Sequence, residues 1–275
     1  MSRADSPAQL QGGQYRNAHN LDLRIGLHAL CSVNPQGWMP WLFEQIETLG
    51  LAPDARILEL GCGPATIWCE NASRIPAGWC IALSDFSRGM LTDAGQRLAE
   101  ATGDRRFEFA TTNAEAIPFA SDQFDAIFAN HMLYHVRQRE RALGEIARAL
   151  RPGGVLVAST LAQGSMQEIQ TLVRRCTSRQ DFEFNRSARR FALDNAQEQL
   201  SPFFRTIEER RYVDALEITD PEPLTGYLRS LIRDDPLRDD ELAAIEARTR
   251  EAIDRDGAFR VAKDSGVLLA RDPRK

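Results

Sequence analysis

Short runs of apolar residues, each ending in glycine or a polar residue, recur through the middle of the chain. Between them lie longer segments whose apolar residues are three or four positions apart, the spacing of a helix with one buried face. The short runs predict strands at 55–60, 79–84, 107–111, 124–129 and 155–161. The longer segments predict helices near 65–74, after an N-cap at Ser87, and near 138–150. Strands that alternate with helices predict a parallel sheet with right-handed crossovers.

The pattern changes on both sides of this region. Residues 20–30 and 38–49 predict two helices, separated by the break at Asn34–Gly37. The rest of the chain predicts two charged helices over 165–200, a sixth strand at 204–218, helices over 221–255 and a short last strand at 265–270. We expect the helices outside the central region to form a cap over the carboxyl edge of the sheet, where ligands of open α/β sheets bind.

Composition limits the classes of function. The 275 residues carry a formal net charge of −5, which argues against a nucleic-acid partner. No apolar run approaches the ~18 residues of a membrane span, and the polar start at 1–14 predicts a flexible tail and no signal peptide. The five cysteines are odd in number and lack the C-x-x-C spacing, so we expect reduced thiols in a cytoplasmic protein, with no zinc site.

The most informative segment is 56–66, RILELGCGPAT. Gly61 and Gly63 stand where the first strand ends, and the missing Cβ atoms allow a sharp turn close to a ligand. The N–H groups of the following helix would face that ligand, which is the geometry of a nucleotide cofactor. A dinucleotide fingerprint would place a third glycine where Thr66 stands, so a nicotinamide-dependent dehydrogenase fits poorly. Asp85, at the tip of the second strand, could bind two ribose hydroxyls. Such a carboxylate suits a dinucleotide or another nucleotide cofactor, so it does not distinguish between them.

Several segments, in chain order, resemble the class I S-adenosylmethionine-dependent methyltransferases of the methyltransferase-11-like, small-molecule type. They are ELGCG at 59–63, SDFS at 84–87, NAEAIPF at 113–119, FDAI at 124–127 and LRPGG at 150–154. The resemblance covers residues 55 to 161. It implies an α/β fold: a doubly wound, Rossmann-like sheet of seven strands, the last one antiparallel, with helical cap insertions.

The resemblance also implies a division of the chain into domains. The expected parts are a flexible tail at 1–14, an N-terminal helical lid at 15–50, the cofactor-binding core at 51–161, a helical cap insertion at 162–202, and C-terminal strands at 203–275 with a second helical insertion at about 221–255.

S-adenosyl-L-methionine is the cofactor that the resemblance implies. Gly61 and Gly63 would lie against its methionine portion, with Glu59 and Cys62 in the same turn. Cys62 is alternatively a small filler seen only through its backbone. Asp85 would accept hydrogen bonds from both ribose hydroxyls; its alternative is an acid at a helix N-terminus beside Ser87.

The remaining cofactor contacts are assigned in the same way. Phe86 and Met90 would pack on the adenine, although a core role for Met90 is open. Asn113 would accept from the adenine amino group and Ala114 would offer its backbone N–H. Two further contacts are assigned to the methionine part: Asn130, which could instead meet the acceptor, and Arg24, which could bind the α-carboxylate or form a surface salt bridge with Asp22 or Glu44.

His131 and His135 follow the predicted fourth strand, at the edge that faces the transferring methyl group. Either could accept a proton from an acceptor hydroxyl or ammonium, with His135 favoured, or could simply be hydrogen-bonded. Two histidines alone make no metal site. In related enzymes a helical lid closes over the cofactor, and Tyr15 would place an aromatic face near the sulfonium. Trp38 and Trp41 would form the lid core or line the acceptor pocket.

The leading hypothesis is methyl transfer to a nitrogen or oxygen atom of a small molecule in natural product biosynthesis, by in-line displacement in a capped pocket. Methylation of RNA or protein is disfavoured by the acidic chain and by the lack of an aromatic and basic stripe. A non-catalytic regulator that binds the same cofactor is a third hypothesis. The partner is then a small-molecule acceptor, with no nucleic acid and no membrane, and a homodimer is compatible with this interpretation.

Overall fold

The computed structural model describes residues 19–103, 107–183, 186–231 and 236–275. The strands are β1 Arg56–Leu60, β2 Cys80–Asp85, β3 Glu108–Thr111, β4 Phe124–Asn130, β5 Leu150–Leu161, β6 Phe204–Ile218 and β7 Phe259–Pro273. The helices are α1 His19–Cys31, α2 Trp38–Glu47, α3 Thr66–Glu70, α4 Arg88–Thr102, α5 Arg139–Ala149, α6 Gln167–Cys176, α7 Leu193–Leu200, α8 Pro221–Ser230 and α9 Asp239–Asp256.

The described strands form one seven-stranded sheet in the order β3-β2-β1-β4-β5-β7-β6. The pairs from β3 to β5 are parallel, and β7 runs antiparallel to β5. The predicted fold class, with its antiparallel last strand, is confirmed. From β1 to β5, each strand is joined to the next along the chain by a helical or loop crossover, as the alternating pattern of the sequence predicts.

The two faces of the sheet bury different sets of side chains. In β1, Ile57 packs with α2 and β2 residues on one face, whereas Leu58 and Leu60 pack with α5 residues on the other. All three side chains are at most 1% exposed. Continuous apolar runs, and not an alternating pattern, are therefore expected in these strands, because a parallel sheet is covered on both faces.

The fifth strand begins earlier than the sequence predicts. Leu150 pairs with Phe124, and the register then shifts before Val155 pairs with Ala126. Gly154 lies in this irregularity, where an added Cβ would come within 2.9 Å of the Arg151 carbonyl oxygen. The LRPGG segment is thus part of β5 with a bulge, because its glycines permit a backbone path that ordinary residues would obstruct.

Two other elements differ in length from the predictions. The helix after the glycine turn is only α3, followed by a separate 3₁₀ turn at Ala72–Arg74. The last strand extends from Phe259 to Pro273, well beyond the predicted 265–270, and the added residues alternate between buried and exposed positions over part of their length.

The chain divides into two compact units. The sheet unit comprises Trp38–Gln163, Ser187–Tyr212 and Ser265–Lys275. The helical unit comprises the described residues of three segments, 19–37, 164–186 and 213–264. The division falls within β6 and within β7, so each of these long strands contributes to both units.

Asp214 is a polar centre of the helical unit. Its carboxylate accepts hydrogen bonds from Lys263 Nζ and Ser32 Oγ, each at 2.6 Å, and from the Asn34 backbone N–H at 3.1 Å. Burial raises the pKa of Asp214, but the bonds from Lys263 and Ser32 outweigh burial and hold it below its usual value. These contacts attach the segment after α1 to β6 and β7.

No helix of the described ranges is both long enough and apolar enough to cross a membrane.

Candidate functional site

Three neighbouring strands bring most of the predicted site residues to one edge of the sheet unit. The strand order places β1 between β2 and β4, and all three are parallel. Their carboxyl ends, at Leu60, Asp85 and Asn130, therefore lie at the same edge. Open α/β sheets bind their ligands at this edge.

The turn after β1 has left-handed backbone conformations at both predicted glycines. The φ angle is +64° at Gly61 and +53° at Gly63, a region that residues with a Cβ rarely adopt. A Cβ at Gly61 would lie 2.8 Å from the Cβ of Met132. We predicted this glycine from the approach of a ligand, whereas packing against Met132 already requires it.

Asp85 contacts this turn directly. Its Oδ2 accepts from the Gly63 N–H at 3.0 Å and its Oδ1 from the Ser87 N–H at 2.7 Å. Burial raises the pKa of Asp85, although the bonds from Ser87, Gly63 and Phe86 oppose that change. Each carboxylate oxygen has a second lone pair, so the side chain keeps capacity for further donors. The bond to Ser87 matches the helix N-terminal role weighed from the sequence, and the bond to Gly63 ties the same carboxylate to the glycine turn.

The residues predicted for the adenine lie in different environments. Met90 is 1% exposed, and its N–H bonds to the Ser87 hydroxyl at 3.3 Å, so it occupies the core. Phe86 is partly exposed and Ala114 is buried. Asn113 is exposed, and its Oδ1 accepts from the Glu115 N–H at 2.9 Å within its own turn.

Thr112 is a residue that the sequence predictions did not include. Its N–H donates to the Asp85 carbonyl oxygen at 3.1 Å, which fixes it beside the end of β2. Its hydroxyl is buried and has no hydrogen-bond partner among the described residues. A buried hydroxyl without a partner is unfavourable, and here it lies between the residues predicted for the ribose and the adenine.

Glu59 is a buried carboxylate with two side-chain donors. It is 2% exposed, and it accepts from Trp68 Nε1 at 2.6 Å and from Asn130 Nδ2 at 2.7 Å. Burial raises its pKa to about 7, against the effect of these two bonds. Glu59 therefore positions Asn130 at the end of β4, and both of its oxygens are engaged by protein donors.

Cys62 is buried beside Glu59. Burial raises the pKa of its thiol well above the usual value, and the charges of Glu59 and Asp85 act in the same direction. The thiol is therefore neutral at physiological pH, in agreement with a role as a small filler. No group of three or more potential metal ligands occurs in the part of the chain that the structure describes.

An aromatic cluster lies just beyond β4 in the sheet unit. Trp38 stacks on Trp41 at 5.3 Å between ring centroids and contacts His131 at 5.2 Å and Tyr212 at 5.4 Å. Trp38 Nε1 is buried and has no hydrogen-bond partner among the described residues. The indole N–H of Trp38 lies among aromatic rings and could donate a hydrogen bond to a ligand.

His131 and His135 flank Tyr134 in this cluster. Tyr134 lies 4.5 Å from His135 and 6.5 Å from His131 between ring centroids. His131 has φ +50°, and its N–H donates to Ser159 of β5, to the carbonyl oxygen and the hydroxyl at 3.1 Å each. The structure therefore brings both predicted histidines to the carboxyl edge of the sheet, beside Asn130.

Two other predicted residues, Tyr15 and Arg24, are not among the described residues at the carboxyl edge of the sheet. Tyr15 lies outside the described residues. Arg24 belongs to the helical unit, where its Nη2 donates to the Ser230 carbonyl oxygen at 2.8 Å and its Nε to the Ser230 hydroxyl at 3.2 Å. Its guanidinium thus binds the end of α8, a partner that neither of the predicted roles included.

Trp68, Ser159 and Tyr212 are site residues that the sequence analysis missed. Each is buried and lies on a different element: α3, β5 and β6. Their local patterns are those of ordinary core residues, so only the tertiary contacts reveal them.

Comparison with known proteins identifies the type of domain. Residues 58–158 match the model of the family described as a methyltransferase domain. The chain is 34% identical over 145 residues to a malonyl-[acyl-carrier protein] O-methyltransferase of Enterobacter lignolyticus, an alignment that covers 52% of each protein. It is also 34% identical over 135 residues to a demethylmenaquinone methyltransferase of a Mycobacterium species, with coverage of 49% of this chain and 54% of the relative. The chain thus aligns with about half the length of these curated relatives.

The fold has counterparts among solved structures. A phosphoethanolamine N-methyltransferase 2 of Haemonchus contortus, solved with phosphomonomethylethanolamine and S-adenosylhomocysteine, superposes with a TM-score of 0.58 at 19% identity. The match covers 98% of this chain and 60% of that one. Residues 58–158 thus form a methyltransferase domain, which agrees with the predicted family, and the superposition shows that the fold is shared with a solved methyltransferase.

Proposed function

We propose that this methyltransferase-domain protein is an enzyme that transfers the methyl group of S-adenosyl-L-methionine to a nitrogen or oxygen atom of a small molecule. The observation that carries the proposal is the contact of Asp85 with the glycine turn, at 3.0 Å from its Oδ2 to the Gly63 nitrogen. It joins the two predicted cofactor motifs at the edge of the sheet that also presents His131 and His135.

The residues present fit this cofactor on two observations. Asp85 retains acceptor capacity beside a turn whose backbone is left-handed at Gly61 and Gly63. Thr112 contributes a buried hydroxyl that lacks a partner among the described residues. We assign the ribose hydroxyls to Asp85 and the adenine region to Phe86 and Thr112, with the methionine portion beside the glycine turn.

The cofactor, when bound, supplies an electrophilic methyl group on a positively charged sulfur. The protein's own contribution is mainly to hold the acceptor in line and to exclude water. The aromatic faces of Trp38 and Tyr134 favour positive charge nearby. His135, or His131, accepts the proton that an acceptor hydroxyl or ammonium must lose.

The acceptor is the finer part of the proposal. We propose a small molecule of secondary metabolism, methylated in the cytoplasm. The named relatives suggest where to begin a search, since one acts on a malonyl-acyl-carrier protein and another on demethylmenaquinone. RNA and protein acceptors, and cofactor binding without turnover, are the competing hypotheses.

Calorimetric titration with S-adenosylhomocysteine tests the cofactor assignment. Asp85→Ala should weaken binding at least tenfold, because hydrogen bonds to a charged group contribute about 1.5–3 kcal/mol. Asp54→Ala is the matched control, since Asp54 is an exposed carboxylate before β1, at the amino end of the strand. Equal affinity of the wild type and Asp85→Ala would refute the ribose assignment.

A panel of acceptors then tests catalysis. Transfer of labelled methyl to small molecules, and not to RNA or protein substrates, is the expected result. Tight binding of the cofactor with no transfer across the whole panel would favour the regulatory hypothesis.

A further inference from the structure

A groove of the sheet unit begins where the His131–His135 segment ends. It is a wide groove of about 610 Å³ that is open to solvent. Its lining is Arg137, Gln138, Arg139, Glu140, Arg141 and Gln199. Three arginines and one glutamate are thus among the lining residues, in a protein whose overall charge is −5.

The arginines of this groove form no salt bridge with a carboxylate of the described residues. Arg139 donates from Nε to the Gln199 side-chain oxygen at 2.9 Å and from Nη1 to the Val136 carbonyl oxygen at 2.8 Å. Both acceptors are neutral, so its charge is held in place without being neutralised. Arginines elsewhere in the sheet unit do form such pairs, as Arg148 does with Glu145.

A fourth arginine, Arg190, adds like charge to this region. The Gln199 amide that accepts from Arg139 also donates to the Arg190 carbonyl oxygen at 3.0 Å, which links α7 to the turn at Ala188–Arg190. Burial lowers the pKa of Arg139, and the charge of Arg190 lowers it further. Partly buried like charges repel each other, and an anion between them would relieve that repulsion.

The backbone of the groove favours the same kind of ligand. Arg139 is the first residue of α5, and the preceding Gln138 provides no side-chain cap. The first N–H groups of a helix need acceptors, and its positive end attracts anions. Three arginines at this end are unfavourable in the free protein for the same reason. Glu115 satisfies only the Gln138 N–H, at 3.0 Å.

The groove also lies close to the candidate acceptor site. Arg139 is four residues after His135, so their Cα atoms are separated by less than about 15 Å. Arg139 binds the carbonyl of Val136, the residue that ends the 3₁₀ turn Leu133–His135. The Ala188–Arg190 turn packs against that same turn.

We propose that this groove, which we call the arginine groove, binds an anionic group of the methyl acceptor. The inference rests on the proposed methyltransferase function and narrows its substrate class to molecules that carry a phosphate or a carboxylate. The reacting nitrogen or oxygen would then lie within a short molecule's length of the anion, near His131 and His135.

Calorimetry with inorganic phosphate and, separately, with succinate tests the anion site without any methyl donor. The wild type should bind at least one of the two anions, with an affinity that falls as salt is raised. Arg137→Gln combined with Arg141→Gln should weaken binding at least tenfold. Arg205→Gln is the matched control, because Arg205 is an exposed arginine on β6 of the same unit. No binding by the wild type at low salt, or an equal loss in the control, would overturn the proposal.

The same double variant separates this proposal from the proposed function. It should bind S-adenosylhomocysteine like the wild type, since the arginine groove is not part of the predicted cofactor site. In the acceptor panel, anionic compounds should exceed their neutral methyl esters at least tenfold in kcat/KM. Equal use of both forms would overturn the role in acceptor binding. If anions bind but the cofactor does not, the proposed function fails and the anion site stands.

Discussion

Replacing Glu59 by Gln should remove one pH-dependent contribution to the stability of the fold. Glu59 is buried, and burial raises its pKa from 4.5 to about 7. Between these two pH values the unfolded chain loses the proton while the folded protein keeps it. The contribution of Glu59 to the free energy of unfolding therefore falls as pH rises from about 4.5 to about 7, and it does not change at higher pH. Gln cannot ionise, so this component disappears in the variant.

The size of the effect follows from the two pKa values. Each pH unit between them corresponds to 1.36 kcal/mol, and the interval from 4.5 to about 7 gives about 3 kcal/mol. We expect Glu59→Gln to gain about that much relative to the wild type between pH 4.5 and pH 8. A constant difference, from the altered bonds to Trp68 and Asn130, is added at every pH and does not affect this comparison.

Urea denaturation at several pH values, followed by tryptophan fluorescence, measures this difference. All four tryptophans, at 38, 41, 68 and 79, lie in the sheet unit, so the signal reports the unit that contains Glu59. Glu100→Gln is the control, since Glu100 is an exposed carboxylate on α4. Parallel curves of free energy against pH for the wild type and Glu59→Gln would refute the reasoning.

Three further changes test other parts of the structure. His135→Ala should lower kcat much more than it changes cofactor affinity, and a larger loss in His131→Ala at high pH would transfer the role of base to His131. Trp38→Phe removes a buried donor that has no partner among the described residues, so a thermal melt should show the free protein gaining about 1 kcal/mol; a clear loss would mean that the donor is satisfied. Asp214→Asn should destabilise the helical unit by about 3 kcal/mol, measured by circular dichroism, because it removes the carboxylate charge that pairs with the buried Lys263 Nζ at 2.6 Å; an unchanged melt would contradict this.

Local patterns were sufficient to predict most of the sheet. The apolar runs located β1, β2 and β4 within a residue or two, because a strand buried on both faces has little choice of side chain. The start of β5 was missed, since Pro152 and Gly153 normally end a strand and only its pairing with β4 shows the bulge.

The candidate site was predictable only where a local motif exists. The glycine turn and Asp85 are recognisable from spacing alone. The partners of Glu59 are nine and 71 residues away in the sequence, and the residue that requires Gly61 to be glycine is Met132. Contacts of this kind depend on the order of the strands in the sheet, which a short sequence motif does not indicate.

The backbone of His131 has a consequence for attempts to stabilise this protein. A residue other than glycine at φ +50° costs about 1 kcal/mol, and glycine or asparagine would tolerate the angle better. Selection for heat resistance alone should therefore exchange His131 early, at the expense of its contact with Trp38. Selection for turnover should keep the imidazole of His131. The residue found at position 131 after each selection would therefore show whether stability or activity had been selected.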